Sequence, residues 1–409
     1  MRYNADDHHT AMELSPAIKS LTVQNLLSFG DKATTVELRN LNVLIGPNGS
    51  GKSNLIEVIG LLQQAPSELG TAISNGGGIE EWLWKGAKHP VGSIEAISRP
   101  WVRGILRSSA LRYRLAFTAS KLAFTRSGYR FEVTDERVEK EFPTNGKSHS
   151  SPYFGYENGR PILTEKGKKR VLPKVEINPE LSILAQLKAP EHYHEITFLG
   201  QLFSSFRLYR DWEFSREPCD TSLQSEFLEE DGSNLGVVLG RLLNISAVKR
   251  DLVENLRKFY QPASDLSISI EGSRVQTRLH EKDLASGVPL IRMSDGTVRW
   301  LALLSILLNP DPPPLVCIEE PELGLHPDMI HELAKLLIEA SERMQLIVTT
   351  HSNELVGEFS ATPEVVLVCE KQAGSSSFRR LEKDQLSSWL EQYSLGQLWS
   401  KGHIGGNRW

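Results

Sequence analysis

The segment GPNGSGKS, Gly46–Ser53, has the residue types a chain needs to hold a row of phosphates. Its glycines at 46, 49 and 51 let successive backbone N–H groups face one anion, and a helix opening after them points its positive end the same way. Lys52 is spaced to reach the β- and γ-phosphates of a nucleotide, and the Ser53 hydroxyl to ligate Mg²⁺. Pro47, Asn48, Ser50 and Asn54 complete the expected ATP-binding cradle. The alternative is a chance match in a glycine-rich turn. Against it stand the apolar run LNVLIG just before and the helix-spaced SNLIEVIGLLQQ just after.

Three further segments carry chemistry. CIEEPELGLHP, Cys317–Pro327, ends an apolar run in two adjacent carboxylates. Like charges that close repel unless a cation and a water relieve them. Glu319 is therefore expected to support Mg²⁺, and Glu320 to activate the attacking water. The plain alternative is an exposed acidic turn. VTTHS places His351 at the end of the next apolar run, where parallel α/β sheets keep their ligands. A lone histidine there is more often structural, but beside a phosphate loop and paired acids it is expected to sense the γ-phosphate. MSDGT, Met293–Thr297, opens an apolar helix. Ser294 can cap it, and the first-turn N–H groups around Gly296 form a second anion site. Ordinary capping would explain Ser294 alone. Since the phosphate loop already serves its own nucleotide, this second site invites one held by another copy of the chain.

These segments need strands to end on and helices to open. LNVLIG, LVCIEE and QLIVTTH read as buried strands, TVRWLALLSILL and IHELAKLLIEASER as helices. Strand, helix, strand implies a parallel sheet with helical crossovers. IKSLTVQNLLSFGDKATTVEL reads as a hairpin. The expected fold is α/β: a P-loop NTPase head, with a mostly parallel sheet and an antiparallel β subdomain, carrying an inserted α+β lobe. The expected division is a flexible tail over 1–17, head over 18–104, lobe over 105–284, head again over 285–372, and a C-terminal extension over 373–409. No heptad pattern persists in the middle region, which excludes a long coiled-coil arm.

Taken in order, GPNGSGKS, MSDGT, CIEEPELGLHP and TTHS resemble the ABC-type ATPases of the RecF and SMC class. More closely they resemble predicted AAA-type ATPases with an SDGT signature and an EEPExGLHP Walker B segment, and SLGQLWSKGHIGGNRW resembles the tail of one such group. A weaker likeness runs through LEEDGSNLGVVLGRLL. The resemblance implies a homodimer with ATP at the interface, each nucleotide touching the P-loop of one subunit and Ser294–Gly296 of the other. It implies a switch role for His351. Two positions depart from the pattern: Asp295 stands where the signature has glycine, and His326 where the D-loop ends in aspartate. Asp295 would put a negative charge near the γ-phosphate unless it turns away. Gln63 and Gln64 lie in the helix after the P-loop, so neither is assigned as the Q-loop residue. The 58 residues after His351 contain no DxD pair, so the TOPRIM nuclease domain of the OLD family is not expected.

The net charge of −5 argues against a generally basic nucleic-acid binder, so any DNA contact must be local. Arg99, Arg103, Arg107, Arg112, Arg114, Lys121, Arg126 and Arg130, with Tyr113 and Tyr129 among them and no acid between, are the candidate stretch. A solvated sheet face balanced by acidic neighbours is the alternative, and KGKKRVLPK reads as an exposed loop. His192 and His194 lack further ligands at metal spacing and read as a surface strand. Trp82, Trp84 and Trp300 read as packing residues. Three cysteines form no CxxC pair, no apolar run spans a membrane, and the N-terminal segment lacks a secretory pattern, so the expectation is a cytoplasmic protein. The expected activity is slow hydrolysis of ATP to ADP and phosphate, used as a switch in DNA maintenance or repair, or in phage defence as control of a protein effector.

Overall fold

The computed structural model describes residues 16–88, 90–98, 101–102, 105–106, 110–121, 128–142, 152–165, 167–173, 176–212, 214–222 and 225–406. The chain opens with β1 (Ile18–Gln24), β2 (Thr34–Glu37), β3 (Leu41–Ile45), α1 (Lys52–Gln64), α2 (Leu69–Asn75) and α3 (Ile79–Trp82). Strands dominate next: β4 (Gly92–Ser98), β5 (Trp101–Val102), β6 (Ile105–Leu106), β7 (Leu111–Lys121), β8 (Tyr129–Lys140), β9 (Phe154–Glu157), β10 (Arg160–Glu165) and β11 (Lys168–Val171). Then come α4 (Ile183–Gln186), α5 (His194–Ser204), β12 (Arg207–Tyr209), β13 (Cys219–Asp220), α6 (Leu235–Leu243), α7 (Ser246–Phe259), β14 (Ala263–Glu271), β15 (Arg274–Glu281) and β16 (Val288–Pro289). The last part holds α8 (Asp295–Leu307), β17 (Leu315–Glu319), α9 (Ile330–Ser341), β18 (Gln345–Thr349), α10 (Asn353–Glu358), β19 (Val366–Gln372), β20 (Ser375–Arg380), α11 (Lys383–Leu390) and α12 (Leu395–Ser400).

A six-stranded sheet in the order β12-β17-β18-β3-β19-β20 positions the site. All of its pairings are parallel except β19 with β20. β3 and β18 are buried at every residue, as expected of strands covered on both faces. Strand alternation divides their side chains between two cores. Val43, Ile45, Val316, Ile318, Leu346 and Val348 face the core that contains α8 and α9. Leu44, Leu315, Cys317 and Ile347 face the core shared with α1, α5 and the antiparallel sheet. Ten of the thirteen residues of α8 are buried, so the signature helix is a core element whose first turn alone reaches the surface.

The second large sheet, β11-β10-β9-β8-β7-β4-β1-β2, is antiparallel throughout. It crosses the boundary drawn at residue 105: β4 pairs with β7, Gly92 opposite Phe117. β12, from within 105–284, forms the edge of the parallel sheet beside β17. The middle region thus extends both head sheets before adding the β13-β15-β14 sheet, with α6 and α7 packed on it. The boundary at 372/373 falls inside the β19–β20 hairpin. His194 opens α5 and is not on a strand, because Ile196, Leu199, Leu202 and Phe203 recur at helical spacing and are buried. Among the described residues no helix is long and apolar enough to cross a membrane, and no cluster of His, Cys, Asp and Glu could hold a metal by itself.

Candidate nucleotide site

The loop after β3 is built so that glycine is required. Gly46 and Gly51 have φ of 148° and 113°, and a Cβ at either would meet Cys369 O or Ser376 Oγ at 2.2 Å. Gly49, with φ 77°, faces open space. The loop is cross-linked from below: Cys369 Sγ and Ser376 Oγ donate to Ser50 O at 3.1 and 2.5 Å. The C-terminal end reaches the same place. Gly406 packs on Val368 and Gly46, and its N–H donates to Glu370 Oε1 at 2.9 Å. α1 opens at Lys52 with no side-chain cap and no acid in its first turn, leaving its N–H dipoles for an external anion.

Lys52 is buried and donates through Nζ to Gly46 O at 2.8 Å and Pro47 O at 3.2 Å, arching over its own loop. Burial lowers its pKa, against the opposing influence of Cys369, Glu320 and Glu319. Ser53 Oγ donates to Glu319 Oε2 at 2.7 Å, which brings together the hydroxyl and carboxylate expected to serve Mg²⁺. These are hard oxygen donors, and with Gly49 open and the α1 N-terminus uncapped they fit a magnesium–triphosphate group.

Glu320 is forced into the left-handed region, φ 48°, a strain of roughly 1–3 kcal/mol for a residue with a side chain. Its N–H, held by Thr349 O at 3.0 Å, fixes the turn. The carboxylate emerges 3.8 Å from His351 Nε2, so acid and histidine share one rim. Glu322, which the sequence reading left without a role, is half-buried beneath them. Its Oε1 accepts from Thr350 Oγ1 at 2.5 Å and from His351 N at 3.1 Å. Burial raises its pKa, only partly offset by these hydrogen bonds. Glu322 positions the backbone that carries His351.

Two arginines were also missed, both from the stretch after β12. Arg210 Nε donates to Glu319 Oε1 at 2.9 Å and its Nη to Glu57 Oε1 at 2.8 Å. Burial opposes its charge, but Glu57 and Glu319 outweigh that and raise its pKa. Trp212 Nε1 donates to Glu319 O at 2.6 Å. Arg216 forms an ion pair with Asp295 and donates to Met293 O at 2.9 Å. The departure at Asp295 is therefore charge-compensated within the chain.

Ser294 caps α8 as expected, its Oγ accepting from Thr297 N at 3.2 Å. Gly296 lies against Gly324 O, and Arg299 donates to Leu323 O, so the first turn of α8 is tied to the segment after Glu320. His326 is exposed, with Nδ1 3.3 Å from Asp328. Gln63 donates to Phe206 O at 2.9 Å and Glu230 Oε1 at 3.0 Å, tying α1 to β12, away from the metal end.

The basic stretch presents a different picture. Arg99, Arg103, Arg107 and Arg126 lie outside the described residues. Arg112 lies 3.4 Å from both Glu95 and Glu139, and Arg130 3.5 Å from Glu180. Arg114 and Lys121 are exposed. β11, from the second basic stretch, is an exposed edge strand on which Lys169 meets Glu157 and Arg170 meets Glu176. His192 pairs with Glu165 at 2.8 Å.

A P-loop at the end of a central parallel strand, with paired acids two strands away and a signature helix behind, defines an ABC-class ATPase of the RecF/SMC type. Residues 41–357 match the family described as "AAA domain, putative AbiEii toxin, Type IV TA system", and the chain belongs to that family. It is similar in fold to the Smc head bound to the C-winged helix domain of ScpA, with a TM-score of 0.57 and 14% identity over 90% of this chain and 99% of that one. The Smc head with an extended coiled coil from Pyrococcus furiosus, bound to the C-terminal domain of ScpA, gives 0.55 at 14% identity over 92% and 99%. The chromosome partition protein Smc of Desulfitobacterium hafniense (strain Y51) is 37% identical over 82 residues, 19% of this chain but only 6% of that protein.

Proposed function

We propose that this chain binds ATP with Mg²⁺ at Gly46–Asn54 and hydrolyses it, using two copies to complete each site. The observation that carries the reading is the convergence of Lys52, Ser53, Glu319, Glu320 and His351 at the carboxyl ends of β3, β17 and β18. Lys52 exchanges its two loop carbonyls for phosphate oxygens. Ser53 and Glu319 would hold the metal, which would supply charge neutralisation of the phosphates. Glu320 takes a proton from the attacking water, and His351 orients the γ-phosphate. Ser294 and Gly296 meet the nucleotide of the second copy, with Arg216 keeping Asp295 from repelling it. A site completed across an interface turns over slowly and acts as a switch.

The Arg112 and Arg130 ion pairs reduce the charge available to a DNA backbone and favour a protein partner as what the switch controls. The Smc heads seated on ScpA domains are consistent with that mode. A DNA-maintenance role rests on the remaining basic residues of 99–130.

Phosphate release by wild type and Glu320→Gln, with and without duplex DNA, alongside the size-exclusion mass in ATP, tests both levels. Turnover lost in the variant, with a dimer trapped by ATP, supports the catalytic reading. Stimulation by DNA that weakens steeply with salt would restore the DNA role. No turnover in either protein would sink the catalytic assignment.

A further inference from the structure

Arg210 lies one residue beyond β12 and delivers a permanent positive charge to the metal end of the site. It holds two carboxylates that play different parts. Glu319 uses Oε1 for Arg210 Nε at 2.9 Å and Oε2 for Ser53 Oγ at 2.7 Å. Glu57, projecting from α1, takes only the Arg210 Nη at 2.8 Å. A guanidinium and a divalent cation seek the same carboxylate lone pairs, and one oxygen cannot satisfy both at full strength.

We propose that Arg210 is the resident counter-cation of the metal site: it neutralises Glu319 through Oε1 and gives that oxygen up to a divalent cation, while Glu57 keeps the guanidinium tethered at the rim. This rests on the nucleotide-site reading above and goes beyond it by assigning Arg210 as the residue that sets the cation threshold. The tether matters because a displaced but anchored arginine stays where phosphate charge gathers, and its planar fork suits phosphate oxygens. Arginine keeps its proton throughout the neutral range, so the competition is independent of pH there.

The test is Mn²⁺ binding to the purified full chain loaded with ADP, followed by electron paramagnetic resonance, for wild type, Arg210→Met and Arg210→Gln. Removing the competing charge should tighten Mn²⁺ binding about tenfold in both variants, since a hydrogen bond between charged groups is of that order. Arg210→Gln keeps side-chain N–H donors without charge. Tightening in Arg210→Met alone would assign the competition to hydrogen bonding and overturn the counter-cation role. Unchanged or weaker Mn²⁺ binding in both folded variants would overturn it as well. A fluorescent ATP analogue in the same wild-type samples separates the two readings: failure to bind it sinks the ATPase proposal, whereas normal binding with unchanged Mn²⁺ affinity sinks only this one.

Discussion

Lys52 and Glu136 are both ionisable side chains held out of water, one in each half of the molecule, and they are held in opposite ways. Glu136, on β8 in the antiparallel sheet, is enclosed by fixed donors: Tyr113 OH at 2.7 Å, Ser182 Oγ at 2.5 Å and Ile183 N at 2.8 Å. These come from β7 and the start of α4, so the carboxyl ties a helix to the sheet and cannot let go without local unfolding. Among the described residues, Lys52 donates only to two carbonyls of its own loop. Burial displaces the pKa of each toward its neutral form. The difference lies in whether the partners can be exchanged. Fixed partners make a buried ionisable group structural, and replaceable ones leave it available to a ligand. The same contrast separates Arg112, shared between Glu95 and Glu139 of adjacent strands, from Arg210 at the metal end.

The strongest way to break this comparison is at Glu320, which has a strained backbone and a histidine neighbour and which we propose as the proton acceptor. Glu320→Gln should lower phosphate release roughly 10²–10⁴-fold, with ATP affinity nearly unchanged in a fluorescence titration. Equal loss of affinity and turnover would mean the residue holds the fold. Lys52→Met should weaken ATP binding by about 100-fold. It should leave the thermal midpoint of the nucleotide-free protein unchanged or slightly higher, because a desolvated charge is removed. A large drop in that midpoint would place Lys52 with Glu136.

Glu136 should show the reverse pattern. Its folded pKa is pushed from an ordinary 4.5 to about 7, chiefly by burial. The folded chain therefore binds this proton more tightly than the unfolded chain. The associated stability is fully present below pH 4.5 and is lost as pH rises to about 7. Glu136→Gln should flatten the fall in denaturation free energy across that window by on the order of 3 kcal/mol, without changing ATP affinity at constant pH. The smallest effect is expected at Arg112. Partly exposed ion pairs contribute under about 1 kcal/mol, so Arg112→Ala should barely move stability and should leave the salt dependence of any DNA binding unaltered. A slope reduced by about one would show that Arg112 leaves its carboxylates for phosphate.

Much of the site could be read because its chemistry lies in contiguous words at strand ends. GPNGSGKS follows β3, CIEEPE follows the body of β17, and TTHS follows β18, each an apolar run that announces a buried parallel strand. Arg210 and Arg216 were illegible for the opposite reason. They follow β12, a strand of three residues, too short to show a period, and only its parallel pairing with β17 brings Arg210 to Glu319. Glu322 was hidden differently: its neighbours Glu319 and Glu320 offered a complete explanation of the acidic word. The middle region read as a lobe because its alternation is antiparallel in character. Alternation gives no information about which sheet a strand joins, and β7 joins β4.

The central position of β3 has a consequence for how the protein is made. Its two sheet neighbours are β18 and β19, with Leu41 opposite Leu346 and Val43 opposite Val366. The strand that carries the P-loop leaves the ribosome long before either partner exists, and the loop also leans on Gly406. Until those strands emerge the apolar residues of β3 have no sheet to enter, which makes them a natural target for holding chaperones and a point of aggregation risk. The phosphate cradle can close only after β18, β19 and Gly406 have been made. A nascent or prematurely truncated chain would thus carry the P-loop segment without its folded cradle.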